Sequence, residues 1–210
     1  MNDRAPLSCI GSFAAAMVLL ACTPLAAQST VDAARVGHGT TAAVAAGLAS
    51  DDTGVAAVAA GTIAWQVDSR ASVVSTFHWL HHGRGADAFA GAFAVDVNLL
   101  PRRVASPFVE GGFGLYRAFF DVARRAVPPF YRDRVNMANA AGTTVSFADP
   151  MMIVGAGINI YATPHFALRP QVEAFVVAHG SQRYIATAIT VRVAYNLEHH
   201  PFTSNPEVSR

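Results

Sequence analysis

The chain has 210 residues, of which 52% are hydrophobic and only 14% charged, and its formal net charge is +1. That length suits one domain of ordinary size, and the charge content falls below the roughly 25% usual for soluble domains. The near-neutral balance excludes nucleic acid as a bulk electrostatic partner, and with both cysteines, Cys9 and Cys22, in the N-terminal apolar region, a processed chain has no disulfide framework, cysteine metal site or thiol nucleophile.

Residues 10–20 form an apolar run of signal-peptide length behind Arg4, and Ala26-Ala27 offers small residues for cleavage before Gln28. The run is shorter than the roughly 20 residues a membrane-spanning helix needs, and Pro24 follows it. We therefore expect a cleaved signal peptide over 1–27 and a linker over 28–39. The alternative is a lipidated N-terminus, because Leu19-Leu20-Ala21-Cys22 resembles a lipobox with Cys22 as its acceptor.

Beyond the linker, the dominant signal is period-two alternation between turn signals, the mark of half-buried strands. The first segment, 40–49, ends at Ser50-Asp51-Asp52-Thr53-Gly54. The second, 55–67, sets Ile63, Trp65 and Val67 against Thr62 and Gln66. The third, 71–81, places Phe77 and Trp79 opposite Thr76 and His78. The fourth, 87–99, alternates Phe89, Phe93, Val95 and Val97 with Ala92, Ala94, Asp96 and Asn98. In the fifth, 106–120, Val109, Phe113 and Leu115 face away from Glu110, Gly112, Gly114 and Tyr116. An irregular stretch over 121–150 is expected to be one long loop. The sixth, seventh and eighth segments are 151–162, 166–179 and 183–197, followed by a polar tail over 199–210.

Eight segments of this length suit strands that cross a bilayer at a tilt, for which about 9–11 residues suffice. Their few charges share faces with small residues, as in Arg169, Gln171 and Glu173, whereas a soluble barrel carries its charges on the wet exterior. Aromatics sit near strand ends, and Trp65, Trp79, Tyr161, Phe166 and Tyr195 are the expected interfacial girdles. An even strand number permits closure, which satisfies every backbone group in lipid. The expected fold is all-β: an eight-stranded antiparallel up-and-down transmembrane β-barrel over 40–198. Short even-numbered connections and a long fifth one place both termini in the periplasm and the 121–150 loop outside the cell.

The glycine-aromatic strand Pro107-Phe108-Val109-Glu110-Gly111-Gly112-Phe113-Gly114 and the closing strand ending Val193-Ala194-Tyr195-Asn196-Leu197 resemble the eight-stranded outer-membrane barrel family typified by the membrane domain of outer membrane protein A. The resemblance implies the outer membrane of a Gram-negative bacterium and insertion by the barrel-assembly machinery. It also implies outer-membrane lipids and lipopolysaccharide as partners, a monomer, and a structural, surface-interaction or minor pore role. The family ends on a terminal aromatic, and this chain continues past Leu197.

By face, Glu110, Arg169, Glu173 and Arg192 are the expected lumen charge network. His78, His81 and His82 read as an interfacial and loop cluster, because alternation puts His81 opposite the other two. No metal or cofactor is expected. His179-Gly180-Ser181 has a spacing similar to that of the outer-membrane lipid A deacylases, and the resemblance would make His179 the base and Ser181 the nucleophile. That enzyme is an alternative to the expected non-enzymatic role, and a soluble lipocalin-like periplasmic binding barrel is another. In the long loop, Arg124, Arg125, Arg132 and Arg134 with Phe130-Tyr131 could meet lipopolysaccharide phosphates or an external ligand.

Overall fold

Alternation continues unbroken through eight strands: β1 (Thr40–Asp51), β2 (Gly54–Gln66), β3 (Ala71–His81), β4 (Ala86–Asn98), β5 (Ala105–Asp121), β6 (Thr144–Tyr161), β7 (Phe166–His179) and β8 (Gln182–Asn196). The computed structural model describes residues 39–68, 70–83, 85–100, 104–121, 127–138, 144–163 and 165–197. The expected signal peptide, Cys22, the linker up to residue 38, loop residues Arg124 and Arg125, and the 199–210 tail lie outside the described residues.

Every strand pairs antiparallel with the next, and β8 returns to β1 in a closed barrel. The closing register runs from Thr41 opposite Asn196 to Ser50 opposite Thr187, so no edge is left unpaired there. Turn chemistry sets the hairpins. In the β1–β2 turn, Asp51 Oδ1 accepts bonds from the Thr53 amide (2.7 Å), the Thr53 hydroxyl (2.6 Å) and the Gly54 amide (3.1 Å). This is the Asp-centred turn that such residues favour. The β7–β8 turn needs a left-handed residue and has Gly180 at φ 57°.

One boundary differs from expectation. The connection between β5 and β6 covers residues 122–143, not 121–150, and contains a helix, α1 (Pro129–Ala138). Asp149-Pro150 reads as a strand breaker, yet Pro150 lies inside β6 opposite Leu115. The β6–β7 ladder starts at Met151, so Pro150 stands where β6 has lost its β7 neighbour. A missing N–H is tolerated on such a free edge.

Burial is inverted relative to a soluble barrel. Val44, Leu48, Ile63, Phe77, Phe93, Leu115, Ile189 and Val193 all face outward, and Phe113 is 71% exposed. The inward face carries Thr62, His78, Asp96, Glu110, Gln171, Glu173 and Arg192, each under 9% exposed. A continuous belt of outward Val, Ile, Leu and Phe would aggregate in water but matches hydrocarbon. The soluble lipocalin-like alternative is overturned by this inversion. No helix among the described residues is long and apolar enough to cross a membrane.

The barrel is narrow enough that some strands approach without room for a Cβ. On β5, a side chain at Gly112 would run into the carbonyl oxygen of Phe93, and one at Gly114 into that of Gly91. Glycine at these two inward positions lets β5 and β4 coil closely, the corner-turning use of glycine in small barrels.

Candidate functional site

The lumen is divided into two halves with different chemistry. The half nearer the termini is polar and ionic. At its rim, the Thr41 hydroxyl donates to Asn196 (2.7 Å) and the Asn159 amide to Asn98 (2.8 Å). Deeper, Arg169 Nη2 reaches Asp96 (2.5 Å) and lies 3.9 Å from Glu110, while its guanidinium stacks 3.8 Å over the Phe108 ring. Arg192 sits directly across from Arg169 in the β7–β8 register, and donates to Glu173 at 2.6 Å. Glu173 also holds the His78 ring at 3.3 Å, and that ring packs edge-on against Phe175 with centroids 4.9 Å apart.

All four residues expected in the lumen thus lie inside it: Arg192 bonds Glu173, and Arg169 lies near Glu110. Two members were not expected. Asp96 is the closest acid to Arg169, and His78 is fully buried rather than part of an interfacial cluster. Parity separates His78 from His81, as expected, but four residues of strand carry His78 well below the rim where His82 pairs with Asp51 (2.7 Å). His81 is on the outer side, bonded to Asp87 at 2.6 Å. Among the described residues, no cluster of His, Cys, Asp or Glu has the arrangement to hold a metal ion.

The second half of the lumen is apolar and aromatic. Val58, Leu80, Ile153, Met151 and Phe175 fill it, all at most 4% exposed. Above them, α1 inserts Phe130 and Tyr131 into the barrel mouth. Tyr131 lies 5.0 Å from Phe120 and 5.8 Å from Phe147 between ring centroids, and Phe130 stacks on Tyr184 at 5.8 Å. Tyr184 in turn contacts Tyr116 and donates a hydrogen bond to Asp51. Burial, with Tyr116 and Asp149 nearby, raises the Tyr131 phenol well above the ordinary tyrosine range. Arg134 anchors the helix, bonding both oxygens of Asp149 at 3.0 and 2.7 Å and stacking 4.4 Å over Phe147. Of the loop arginines that could meet external phosphates, Arg134 is therefore committed inward, because its carboxylate partner lies on the barrel wall.

His179 bonds the same Asp149 through Nδ1 at 3.0 Å, and Ser181 forms the exposed hairpin turn beyond it. Asp149, the acid that His179 meets, sits on β6. Arg134 shares that carboxylate, so the acid, the imidazole and the guanidinium form one rim tether between β6, β7 and α1.

The five expected girdle aromatics fall at the two strand ends. Trp65, Phe166 and Tyr195 face outward near the termini, with Phe166 and Tyr195 rings 5.0 Å apart. Trp79 faces outward toward the other end, level with Phe89. Tyr161 differs. Its register partner Ala167 points into the lumen, so Tyr161 is a rim residue of the inner side, because position at a strand end does not decide the face.

No protein-family model matches the chain, and no curated protein matches it by sequence. Solved structures share its fold. The crystal structure of Neisserial surface protein A aligns with a TM-score of 0.55 at 10% identity, covering 75% of this chain and 95% of that one. Outer membrane protein OprG from Pseudomonas aeruginosa aligns at 0.50 and 10% identity, covering 77% of this chain and 97% of the other. The protein is a small transmembrane β-barrel, defined by closure, strand number and the outward apolar belt. Its architecture is that of the eight-stranded outer-membrane barrels.

Proposed function

We propose that this chain is a closed outer-membrane barrel of a Gram-negative bacterium that acts as a monomeric structural and surface-contact protein. It does not conduct. The observation that carries this reading is the filled lumen: fully buried Leu80, Ile153 and Phe175, with Tyr131 of α1 above them, occupy the bore that an eight-stranded barrel barely leaves open. Short connections at the end bearing the termini, and the α1-bearing connection at the other, support periplasmic termini and an external α1. The closing strand, with Val193 and Tyr195 on its lipid face, supports delivery by the barrel-assembly machinery.

With the bore occupied, contact is left to the external rim and the lipid face. Planar-bilayer recording of the purified protein tests the reading. The expected trace carries no unitary steps above the detergent control; reproducible ohmic steps that scale with protein added would refute the closed-barrel role.

A further inference from the structure

Charge on the lipid-facing register is confined to the α1 end. Among the described residues, the outward strand positions there carry His81, Asp87, Arg117, Asp121 and Arg183, and the outward positions toward the termini carry no charge. His81 engages Asp87, and Arg183 turns back to the carbonyl oxygens of Gly180 (3.2 Å) and Gln182 (3.0 Å) in its own hairpin.

Arg117 is different. It is exposed on β5, opposite Phe89 on β4 and Ala148 on β6, in the row that also holds Trp79. That row is the outer aromatic girdle, where Phe89 meets Phe119 edge-on at 5.7 Å. A lipid-face arginine is costly at the bilayer midplane and nearly free at the interface, so its height is set by the headgroups. The guanidinium is steered by the Phe119 ring, 5.0 Å away, and makes one long hydrogen bond, 3.4 Å, to the Ser146 hydroxyl. A planar fork with five donors is thus held in place on an aromatic platform with only one weak protein acceptor.

We infer that Arg117, with Phe119 and Ser146, forms a binding site for the phosphate monoester of a lipid in the leaflet around the α1 end. The fork matches a phosphate bidentately, the serine hydroxyl can donate a further bond, and Phe89, level with Arg117, and the outward Leu115, two residues nearer the midplane, receive the apolar part of the lipid. Asp87, on the neighbouring strand, is already taken up by His81 and does not compete for the guanidinium. The inference rests on the membrane reading above.

The test uses protein extracted from membranes and reconstituted into phosphatidylcholine vesicles. The vesicles contain either phosphatidic acid or diacylglycerol of the same chains. Heat-modifiable gel mobility reports the folded barrel, and native mass spectrometry reports retained lipid. Phosphatidic acid is expected to be retained over diacylglycerol, and Arg117→Gln to lower that retention about tenfold, the scale of one charge-assisted hydrogen bond. Arg117→Lys keeps the charge without the fork and falls between them. Arg183→Gln, at the same end but bonded to its own turn, leaves retention unchanged.

Equal retention by the wild type and Arg117→Gln overturns the inference. So does an equal loss in Arg183→Gln, which would mean diffuse surface charge, or full displacement by inorganic phosphate, which would mean a soluble anion. Should Arg117→Gln fail to fold, Ser146→Ala and Arg117→Lys carry the same comparison. Absence of the heat-modifiable band in the wild type would instead strike the membrane reading itself.

Discussion

Removal of the Glu173 carboxylate should destabilise the barrel far more than removal of the whole ion pair. Glu173 is 1% exposed, and Arg192, which it holds at 2.6 Å, is fully buried. In Glu173→Gln, Arg192 keeps its charge and loses its only ion-pair partner among the described residues. Breaking a buried pair from one side costs about 3–5 kcal/mol, because an uncompensated charge is left behind. His78 loses its carboxylate partner as well. The double variant Glu173→Gln/Arg192→Met removes both charges and should recover most of that loss, since apolar replacement of a buried pair is often neutral. The assay is equilibrium urea unfolding in lipid vesicles for the wild type, both single variants and the double. Independent sites add within about 0.3–0.5 kcal/mol, so a coupling beyond about 1 kcal/mol in the cycle is the expected result. A neighbour could blunt the single-variant cost: both Glu110 carboxylate oxygens lack a hydrogen-bond partner and could turn to Arg192. Repeating the cycle with Glu110→Gln removes that rescue. Additive single variants in that background would refute the claim that these charges act as a unit.

Phe113, the middle residue of β5 and 71% exposed, should mark the bilayer midplane. Phe113→Arg is expected to cost about 2–4 kcal/mol in vesicle unfolding, whereas Ser146→Arg near the girdle costs about 0–1 kcal/mol. Gly114→Ala forces a Cβ into the Gly91 carbonyl and should destabilise by about 1–3 kcal/mol, read from the same urea midpoint. Tyr131→Ala removes the ring buried between Phe120 and Phe147, a loss of about 3–5 kcal/mol in helix docking. Hydrogen exchange should then show unprotected α1 amides with the strand amides still protected.

The fold was legible because side-chain alternation survives in any environment. Inward and outward sets on β8, such as Arg192 against Val191 and Val193, can be read without knowing the partner strand. Partnership inside the lumen was not legible. His78 meets Glu173 across 95 residues of sequence, and Arg169 meets Asp96 across 73. Those meetings depend on strand stagger around the closed barrel, which parity does not encode. Asp149 was hidden for a second reason. Its neighbour Pro150 gives the start of β6 a loop signal, which hides Asp149 as the wall partner of Arg134 and His179. The helix α1 was masked in the same stretch by Pro128-Pro129, although a proline at the first helical position is favourable.

The two-part lumen limits where this protein can act. An ion network and an apolar plug stacked in one bore leave no continuous polar path, since the terminus-side network ends at Glu173 and His78, Phe175 begins directly beyond them, and the next ion pairs, at Asp51 and Asp149, lie past the plug at the α1-end rim. A permeant ion would have to shed its water against Ile153, Leu80 and Tyr131, the dewetting barrier that closes hydrophobic constrictions. Freeing α1 alone does not remove that barrier, because the Phe175 layer belongs to the strands. The Tyr131→Ala variant, with α1 released, is therefore expected to stay silent in bilayer recordings. On the closed-barrel reading, function is left to surfaces the bore does not use, and of these the α1 end is where outward charge, aromatic girdle and helix coincide.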